Sequence, residues 1–524
     1  MKISKVVVIG SGTMGSGIAA QVANAGINVQ LLDLTKEIAS NACERIKKSR
    51  PPLLMEENNI NLITPGSIEN DLECLKEADW VVEAVVERID IKKTLYSQID
   101  SLRKPGAFVS SNTSSIPLSV LTEDMSEEMK EVFCITHFFN PVRYMRLLEL
   151  VIGKENNKEK INDLVDFGDK VLGKTVVVCN DSPGFLGNRV GVYAMQVAMT
   201  EAFNLGLSVE EADAVFGRPL GIPKTGIFGL YDLIGIDLMA DVLKSFIREL
   251  PSSDPFHEVG KELPIIKKLI EDGYTGRKGK GGFFRMNKSS EKKTLESLNY
   301  NNYTYHESKK VNLNLPDVMN ISKVLDRNDV YGQYAWSIIK KTVLYAANLV
   351  PDVTENFNDI DEAMKCGFNW SKGPFEILNE IGIENFISKL DQNDKIPPYL
   401  QQLNDENKSL FSISKNKLEY FHGKYFYTPL NRPQGIISLS DIKKSSNPIY
   451  SNSSASIWEI NNKTKFLCVE FHTKANALDG LTNDCLMKAY ELAQDKFDGI
   501  VLANDAMQFS AGVNLNYFYD KAIN

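Results

Sequence analysis

The sequence predicts a mixed α/β protein in which a doubly wound, mainly parallel sheet comes first and mostly helical regions follow. The chain opens with an apolar run, a glycine-rich turn, a helix-periodic segment and a second apolar run, an order typical of such sheets. Short apolar runs then alternate with helical patterns as far as Asp181. Beyond Asp181 helical patterns dominate, and residues 456–524 return to an alternation of strands and helix.

The composition is that of an ordinary globular chain. Its 524 residues correspond to about three to five domains, and 43% of them are hydrophobic. The net charge of -9 argues against nucleic acid as the main partner, because no basic excess neutralises phosphates. No apolar run reaches the ~18 residues of a membrane span, so no membrane partner is expected. The seven cysteines form no CxxC pair, which indicates no zinc site and favours a reducing, cytoplasmic location.

Seven apolar segments are predicted to form the strands of the first sheet. Helix-periodic or turn-forming segments separate them, and the first helix is expected to end at Gly26. In chain order the predicted strands are residues 3–9, 28–33, 80–85, 107–112, 132–139, 147–153 and 175–181.

A glycine motif follows the first predicted strand. Gly10, Gly12 and Gly15 form G-x-G-x-x-G, and Asp33 ends the next strand 23 residues after Gly10. Such glycines allow a tight turn and a close approach of the backbone to a pyrophosphate, which the free N–H groups of the helix N-terminus then bind. A carboxylate at Asp33 accepts hydrogen bonds from ribose hydroxyls and repels a 2′-phosphate, which favours NAD over NADP. The alternative is a tight strand–helix turn without a ligand.

His137 and Glu149 are the first candidates for catalysis. His137 lies in one apolar segment, and Glu149 lies twelve residues later in the next. A strand, a turn and a returning strand of this length can place two side chains opposite each other. A carboxylate in an apolar strand needs a partner, and a His–Glu pair supplies a general base. A structural histidine is the alternative interpretation.

An internal repeat divides the helical part of the chain. GIFGLYDLIGI at residues 226–236 returns as GPFEILNEIGI at 373–383, which predicts two copies of one helical domain. Polar segments at 286–325 and 431–455 are predicted to be linkers. The expected domains are therefore 1–183, 184–285, 326–430 and 456–524.

Four segments in chain order resemble the (S)-3-hydroxyacyl-CoA dehydrogenase family. They are GSGTMGSGIA (10–19), SNTSS (111–115), HFFNPVRYMRLLELV (137–151) and DSPGFLGNRV (181–190). The resemblance extends over residues 1–285, and residues 326–428 resemble the duplicated C-terminal domain of longer members. It implies an NAD-binding Rossmann-type domain followed by two all-α dehydrogenase C-terminal domains.

The resemblance also implies the reaction and its residues. The chain would oxidise (S)-3-hydroxyacyl-CoA to 3-oxoacyl-CoA with NAD, in fatty-acid β-oxidation or short-chain acyl-CoA metabolism. His137 would be the base and Glu149 its partner, while Ser114 and Asn188 would hold the substrate. The residues implied for NAD are Gly10, Gly12, Thr13, Met14, Gly15, Asp33, Glu87, Lys92, Asn112 and Asn140.

Several points stay open at this stage. The chain could be another β-hydroxyacid dehydrogenase with the same cofactor fold, or a non-catalytic NAD- or acyl-CoA-binding relative; the His–Glu pair speaks against both. Acyl chain length and oligomeric state are not predicted. Candidates for contact with the CoA phosphates are Lys47, Lys48, Arg50 and the loop GRKGKGGFF (276–284).

Residues 469–482 and 498–515 resemble the beginning of an enoyl-CoA hydratase (crotonase) domain. The segment FSAGVNL implies that the N–H of Ala511 is one donor of an oxyanion hole. A thioester enolate needs two such donors. The second donor and the acidic residues come later in the family pattern than Asn524, so we expect an incomplete α/β segment without hydratase activity.

Overall fold

The computed structural model describes residues 3–287, 293–314, 320–414, 417–422, 426–430, 432, 436–461, 464–504 and 508–523. The chain divides into two compact units. The first unit contains Met1–Leu410 and His422–Phe426, and the second contains Phe411–Phe421 and Tyr427–Asn524. Among the described residues, no helix is both long and apolar enough to cross a membrane.

An eight-stranded sheet forms the N-terminal part of the first unit. Its strand order is β3-β2-β1-β4-β5-β6-β7-β8, and every neighbouring pair is parallel except β6 and β7. The strands are β1 Lys5–Ile9, β2 Asn28–Asp33, β3 Ile63–Ser67, β4 Trp80–Glu83, β5 Phe108–Ser111, β6 Phe133–Phe138, β7 Leu147–Ile152 and β8 Thr175–Asn180.

Seven helices accompany this sheet. Buried central strands such as β1 are apolar on both faces, as expected for a parallel sheet between helices. The helices are α1 Thr13–Asn24, α2 Lys36–Lys48, α3 Ile68–Asp71, α4 Ile89–Leu102, α5 Leu118–Leu121, α6 Glu127–Val132 and α7 Lys158–Lys170.

Strand β3 is absent from the seven strands that the sequence predicts. Its segment contains Pro65 and Gly66, residues that weaken a strand prediction. In the structure β3 pairs only with β2 and forms the edge of the sheet, where a proline without an N–H group is tolerated. The other seven predicted strands are confirmed.

A group of helices follows the sheet in the first unit. They are α8 Gly187–Asn204, α9 Val209–Val215, α10 Gly226–Ile234, α11 Ile236–Glu249, α12 Phe256–Val259 and α13 Pro264–Glu271. The side chain of Asp213 accepts hydrogen bonds from the N–H groups of Phe228 and Gly229, at 2.7 and 3.0 Å. This carboxylate therefore caps the first turn of α10.

Residues 286–325, which the sequence predicts to be a linker, carry regular elements where the structure describes them. The described residues there form an antiparallel sheet of β9 Phe284–Asn287, β10 Thr294–Asn299 and β11 Thr304–Glu307, followed by α14 Ile321–Leu325. Leu298 is buried, and the Tyr300 hydroxyl donates to the carbonyl of Leu207. A few anchoring side chains thus fold a segment whose polar composition resembles that of a linker.

A second helical region packs against α8. It consists of α15 Val330–Asn348, α16 Phe357–Phe368, α17 Pro374–Ile381, α18 Ile383–Ser388 and α19 Pro398–Asp405. The ring of Tyr345 on α15 stacks on Tyr193 of α8, with centroids 3.8 Å apart. The buried side chain of Asp361 accepts from the N–H groups of Phe375 and Glu376, at 2.8 and 3.0 Å. This arrangement matches the cap of Asp213 on α10.

The second unit carries short sheets and three further helices among the residues that the structure describes. Its sheet of β15, β16, β17 and β18 is antiparallel except for the parallel pair of β17 and β18. From Phe411 onward the chain contains β12 Phe411–Ser414, β13 Lys417–His422, β14 Phe426–Pro429, α20 Leu439–Ser445, β15 Tyr450–Ser451, β16 Ala455–Asn461, β17 Lys465–Phe471, α21 Gly480–Lys496, β18 Gly499–Leu502 and α22 Leu515–Ile523.

The second predicted linker, residues 431–455, is also folded where the structure describes it. Helix α20 and strand β15 lie within it. Leu439 of α20 is buried against Trp458 and Cys468 of the neighbouring strands. One apolar face therefore anchors this serine-rich segment.

The cap on α17 gives a test of stability. We expect Asp361→Ala to lower the free energy of unfolding by about 1–3 kcal/mol, because two backbone N–H groups lose a buried acceptor. Urea unfolding followed by circular dichroism measures the change. The control is Asp405→Ala at the exposed end of α19, which should stay within about 0.5 kcal/mol of the parent. Equal stability of the two variants would contradict the role of Asp361.

Candidate active site

The antiparallel pair of β6 and β7 places His137 directly opposite Glu149. Nδ1 of His137 lies 2.6 Å from Oε2 of Glu149, and both side chains are buried. The predicted pairing of these two residues is therefore present. A carboxylate accepts, so Nδ1 carries the proton that it donates and the lone pair is on Nε2. Such an imidazole is prepared to take a proton at Nε2.

The other oxygen of Glu149 is held by the start of α8. Oε1 accepts from the N–H groups of Leu186 and Gly187, at 3.1 and 2.6 Å. These N–H groups belong to the first turn of a helix, where backbone donors lack partners within the helix and the dipole favours a negative charge. Glu149 thus has a donor on each oxygen although it is fully buried.

A tight turn between β8 and α8 brings this helix N-terminus to the carboxylate. Gly184 has φ +74° and a side chain there would overlap the ring of Phe246, so glycine is required. Phe185 also has a positive φ, 51°, and its buried ring lies 5.6 Å from the imidazole of His137. The segment DSPGFLGNRV therefore folds as a turn that both encloses His137 and caps Glu149.

The two residues predicted to hold the substrate, Asn188 and Ser114, differ in burial and in the element that carries them. Asn188 is the second residue of α8 and is half-buried, directly after the N–H groups that hold Glu149. Ser114 is exposed in the turn that follows β5. Both lie at the carboxyl side of sheet strands or at the adjoining helix start, the usual position of ligand sites in open α/β sheets.

The glycine loop has the geometry of an anion site. Gly10 has φ +101°, and a Cβ on Gly10 or Gly15 would overlap backbone atoms, so packing dictates both glycines. A Cβ on Gly12, in contrast, meets nothing within 4 Å. Gly12 precedes the first turn of α1 and leaves its N–H groups approachable by a phosphate. Of the two residues that follow, Thr13 is exposed and Met14 packs against the core.

Asp33 lies beside this loop, as the motif predicts. Its Oδ2 accepts from the N–H and the hydroxyl of Ser11, both at 2.6 Å, and its Oδ1 accepts from the N–H of Leu34 at 2.8 Å. The carboxylate therefore braces the glycine loop at the end of β2 and remains half-buried.

Glu83 is a residue of the site that the sequence analysis missed. It ends β4, is fully buried and accepts from Lys92 Nζ at 2.7 Å, from the Tyr96 hydroxyl at 2.6 Å and from the Ser111 hydroxyl at 2.7 Å. Lys92 also pairs with Glu87 at 3.1 Å and is 1% exposed. The sequence contains a signal for Glu83, because a carboxylate in an apolar strand needs a partner, as it does for Glu149.

The two predicted asparagines lie at the ends of neighbouring strands. The Oδ1 of Asn112 accepts from the N–H of Phe138 at 3.0 Å and so ties the end of β5 to β6. Asn140 is exposed at the start of the turn between β6 and β7.

The buried side chain of Lys174 stabilises the turn between β6 and β7. Lys174 is 2% exposed and donates to the carbonyls of Val142 and Met145, the latter at 2.8 Å. Burial lowers the pKa of Lys174 to about 8. No motif in the sequence distinguishes this lysine from a surface lysine, and sequence reasoning missed it.

Metal chemistry has no candidate site in the described part of the chain. No group of three or more His, Cys, Asp or Glu side chains there is arranged to hold a metal ion. The site contains the buried pair of His137 and Glu149 and the glycine loop.

Comparison with known proteins agrees with this geometry. Residues 5–182 match the NAD binding domain of 3-hydroxyacyl-CoA dehydrogenase, and residues 184–286 match the C-terminal domain of that enzyme. A putative fatty acid oxidation complex trifunctional enzyme of Rickettsia felis is 38% identical over 98% of this chain and 69% of its own length. A probable 3-hydroxyacyl-CoA dehydrogenase of Bacillus subtilis is 33% identical over 98% of this chain and 68% of its own.

A solved structure shares the fold. The 3-hydroxybutyryl-CoA dehydrogenase of Escherichia coli covers 78% of this chain and 99% of its own, with a TM-score of 0.60 at 22% identity. The fold, the two matching domain models and the identity to relatives over about two thirds of their length lead to one conclusion. The chain belongs to the 3-hydroxyacyl-CoA dehydrogenase family.

Proposed function

We propose that this protein oxidises (S)-3-hydroxyacyl-CoA thioesters to 3-oxoacyl-CoA thioesters with NAD, as a step of fatty acid metabolism. The observation that carries the proposal is the buried pair of His137 and Glu149, with Nδ1 and Oε2 2.6 Å apart. Membership of the family and the open glycine loop at the start of α1 support it.

The chain's own residues handle the proton. Nε2 of His137 removes the proton of the C3 hydroxyl while the C3 hydrogen leaves with its electron pair, so that the C–O bond becomes a carbonyl. NAD, when bound, accepts that hydride. The charge that develops on the imidazole is stabilised by Glu149, which the N–H groups of α8 hold in place.

In this proposal the orientation of the bound substrate also contributes to the rate enhancement. Asn188 and Ser114 orient the substrate oxygens so that C3 faces the nicotinamide. On the cofactor side, the glycine loop with Thr13 and Met14 would hold the pyrophosphate. Asp33, Asn112 and Asn140 after the strands, with Glu87 and Lys92 around the start of α4, would hold the ribose and nicotinamide ends.

We also propose that the second helical region is a copy of the first. The support is the repeated cap, in which Asp213 and Asp361 each accept from two N–H groups at the start of the repeated helix. In this proposal residues 184–285 and 326–430 are the two copies. The second copy covers the apolar face of the first, because α15 lies along α8 and stacks Tyr345 on Tyr193.

The C-terminal residues 456–524 are proposed to be a crotonase-like segment without hydratase activity. The N–H of Ala511, the proposed oxyanion donor, donates to the carbonyl of Ala475 at 3.0 Å. This donor is therefore already engaged, whereas a thioester oxyanion needs two donors that point at one oxygen.

The first test of the dehydrogenase concerns His137. His137→Ala should lower turnover of 3-hydroxybutyryl-CoA by about 10²–10⁴-fold, the usual contribution of a general base, with NAD affinity unchanged. NADH formation measured by absorbance gives the rate. His257→Ala is the matched control, since the imidazole of His257 lies within hydrogen-bond distance only of the backbone carbonyls of residues 250 and 251 among the described hydrogen bonds. Turnover of His137→Ala within a few-fold of the parent would refute the assignment.

The second test concerns cofactor choice. The parent should prefer NAD over NADP, because the Asp33 carboxylate accepts from ribose hydroxyls and repels a 2′-phosphate. Asp33→Ala should erode this preference. The ratio of kcat/KM for the two cofactors measures it, and equal use of both by the parent would contradict the proposal.

The third test concerns the C-terminal segment. We expect no hydration of crotonyl-CoA by the purified chain in the absence of NAD, because the N–H of Ala511 is engaged with Ala475. The absorbance of the enoyl thioester should stay constant, while the same preparation oxidises 3-hydroxybutyryl-CoA when NAD is added. A steady loss of the enoyl absorbance without NAD would overturn this view.

A further inference from the structure

An aromatic path leads from His137 to the second helical region. The ring of Phe139 lies 4.6 Å from the imidazole of His137, and the ring of Phe368 lies 6.2 Å from Phe139. Phe368 is the last residue of α16, so a residue far along the chain reaches the surroundings of the dyad. Both phenylalanines are only partly buried.

Two glycines allow this close approach. A Cβ on Gly191 of α8 would overlap the ring of Phe368, and a Cβ on Gly367 would lie 2.6 Å from Leu147 of β7. The ring therefore rests directly on the backbone of α8, and the end of α16 rests on the strand that carries Glu149. The side-chain amide of Asn369 adds a contact 3.6 Å from the sulfur of Met145, in the turn between β6 and β7.

The helix geometry puts Phe368 on the substrate side of α8. Asn188 and Gly191 are three residues apart and so lie on the same face of the helix. The ring that covers Gly191 is thus a neighbour of the residue proposed to hold the substrate. Phe139 contacts the same helix, since a Cβ on Gly187 would lie 3.3 Å from its ring.

Two chemically different parts of a 3-hydroxyacyl thioester extend from C3. The thioester side leads to the large polar CoA group, whereas the carbons beyond C3 form an alkyl chain that gains free energy on apolar surface. Phe139 and Phe368 offer partly exposed aromatic surface next to the base.

We propose that Phe139 and Phe368 receive the alkyl part of the acyl chain, and that the ring of Phe368 limits its length. This inference rests on the proposed function and adds a residue that determines specificity. The second helical region thereby contributes directly to substrate choice and not only to stability.

The test compares acyl chain lengths in Phe368 variants. In Phe368→Ala the ratio of kcat/KM for 3-hydroxyoctanoyl-CoA to that for 3-hydroxybutyryl-CoA should rise about tenfold, because each newly buried methylene is worth about 0.8 kcal/mol and the enlarged space admits about two. Phe368→Leu should give a smaller rise in the same direction and guards against misfolding of the alanine variant.

Phe386→Leu is the matched control. Phe386 is a fully buried ring of the same helical region and contacts Trp336, away from the dyad. This variant should lower stability without changing the ratio. A ratio that stays within about twofold of the parent in both Phe368 variants, with both rates reduced together, would overturn the inference.

Measurements of acyl-CoA binding test this inference independently of the proposed function. Calorimetric titration of the parent and Phe368→Ala with butyryl-CoA and octanoyl-CoA needs no turnover, and the Kd ratio should shift in the same direction. If the parent binds these thioesters but oxidises no 3-hydroxyacyl-CoA, the proposed function fails while the Kd ratio still decides the role of Phe368. If neither thioester binds the parent, the inference is wrong.

Discussion

The buried carboxylate of Glu149 is the constraint on which the rest of the site depends. A fully buried negative charge is costly unless donors surround it, and two separate parts of the chain provide three of them. His137 comes from the facing strand, while the N–H groups of Leu186 and Gly187 come from the start of α8. The sheet, the turn after β8 and the first long helix of the helical part must therefore assemble around one side chain. Asn188, which is proposed to hold the substrate, is placed by the same assembly.

Much of the sheet and of the candidate site is predictable from the sequence, because it depends on short apolar runs and on residues close together in the chain. Seven strands follow from short apolar runs, and the pairing of His137 with Glu149 follows from two strands joined by a short turn. The position of Asp33 beside the glycine loop follows from the strand–turn–helix–strand unit. In each case the residues that interact are close in sequence or belong to a repeated unit with known geometry.

The parts that sequence reasoning missed depend on contacts between distant segments. Strand β3 contains Pro65 and Gly66 and is a strand only because β2 offers an edge. The polar segment after β9 folds because a few side chains such as Leu298 find buried positions, which composition does not reveal. Phe368 reaches the surroundings of His137 only because Gly191 and Gly367 permit the approach, and neither glycine belongs to a recognisable motif.

Arg189, the residue after Asn188, joins the two helical regions through a buried guanidinium. Its Nε donates to the hydroxyl of Tyr345 at 2.7 Å, and its other nitrogens bind Ser182 and the carboxylate of Asp254. A buried cation of this kind needs every partner in place. During synthesis the segment that matches the dehydrogenase models is finished well before Tyr345 leaves the ribosome. The turn at residues 181–190 therefore reaches its described packing late in translation, after the second helical region has followed the first.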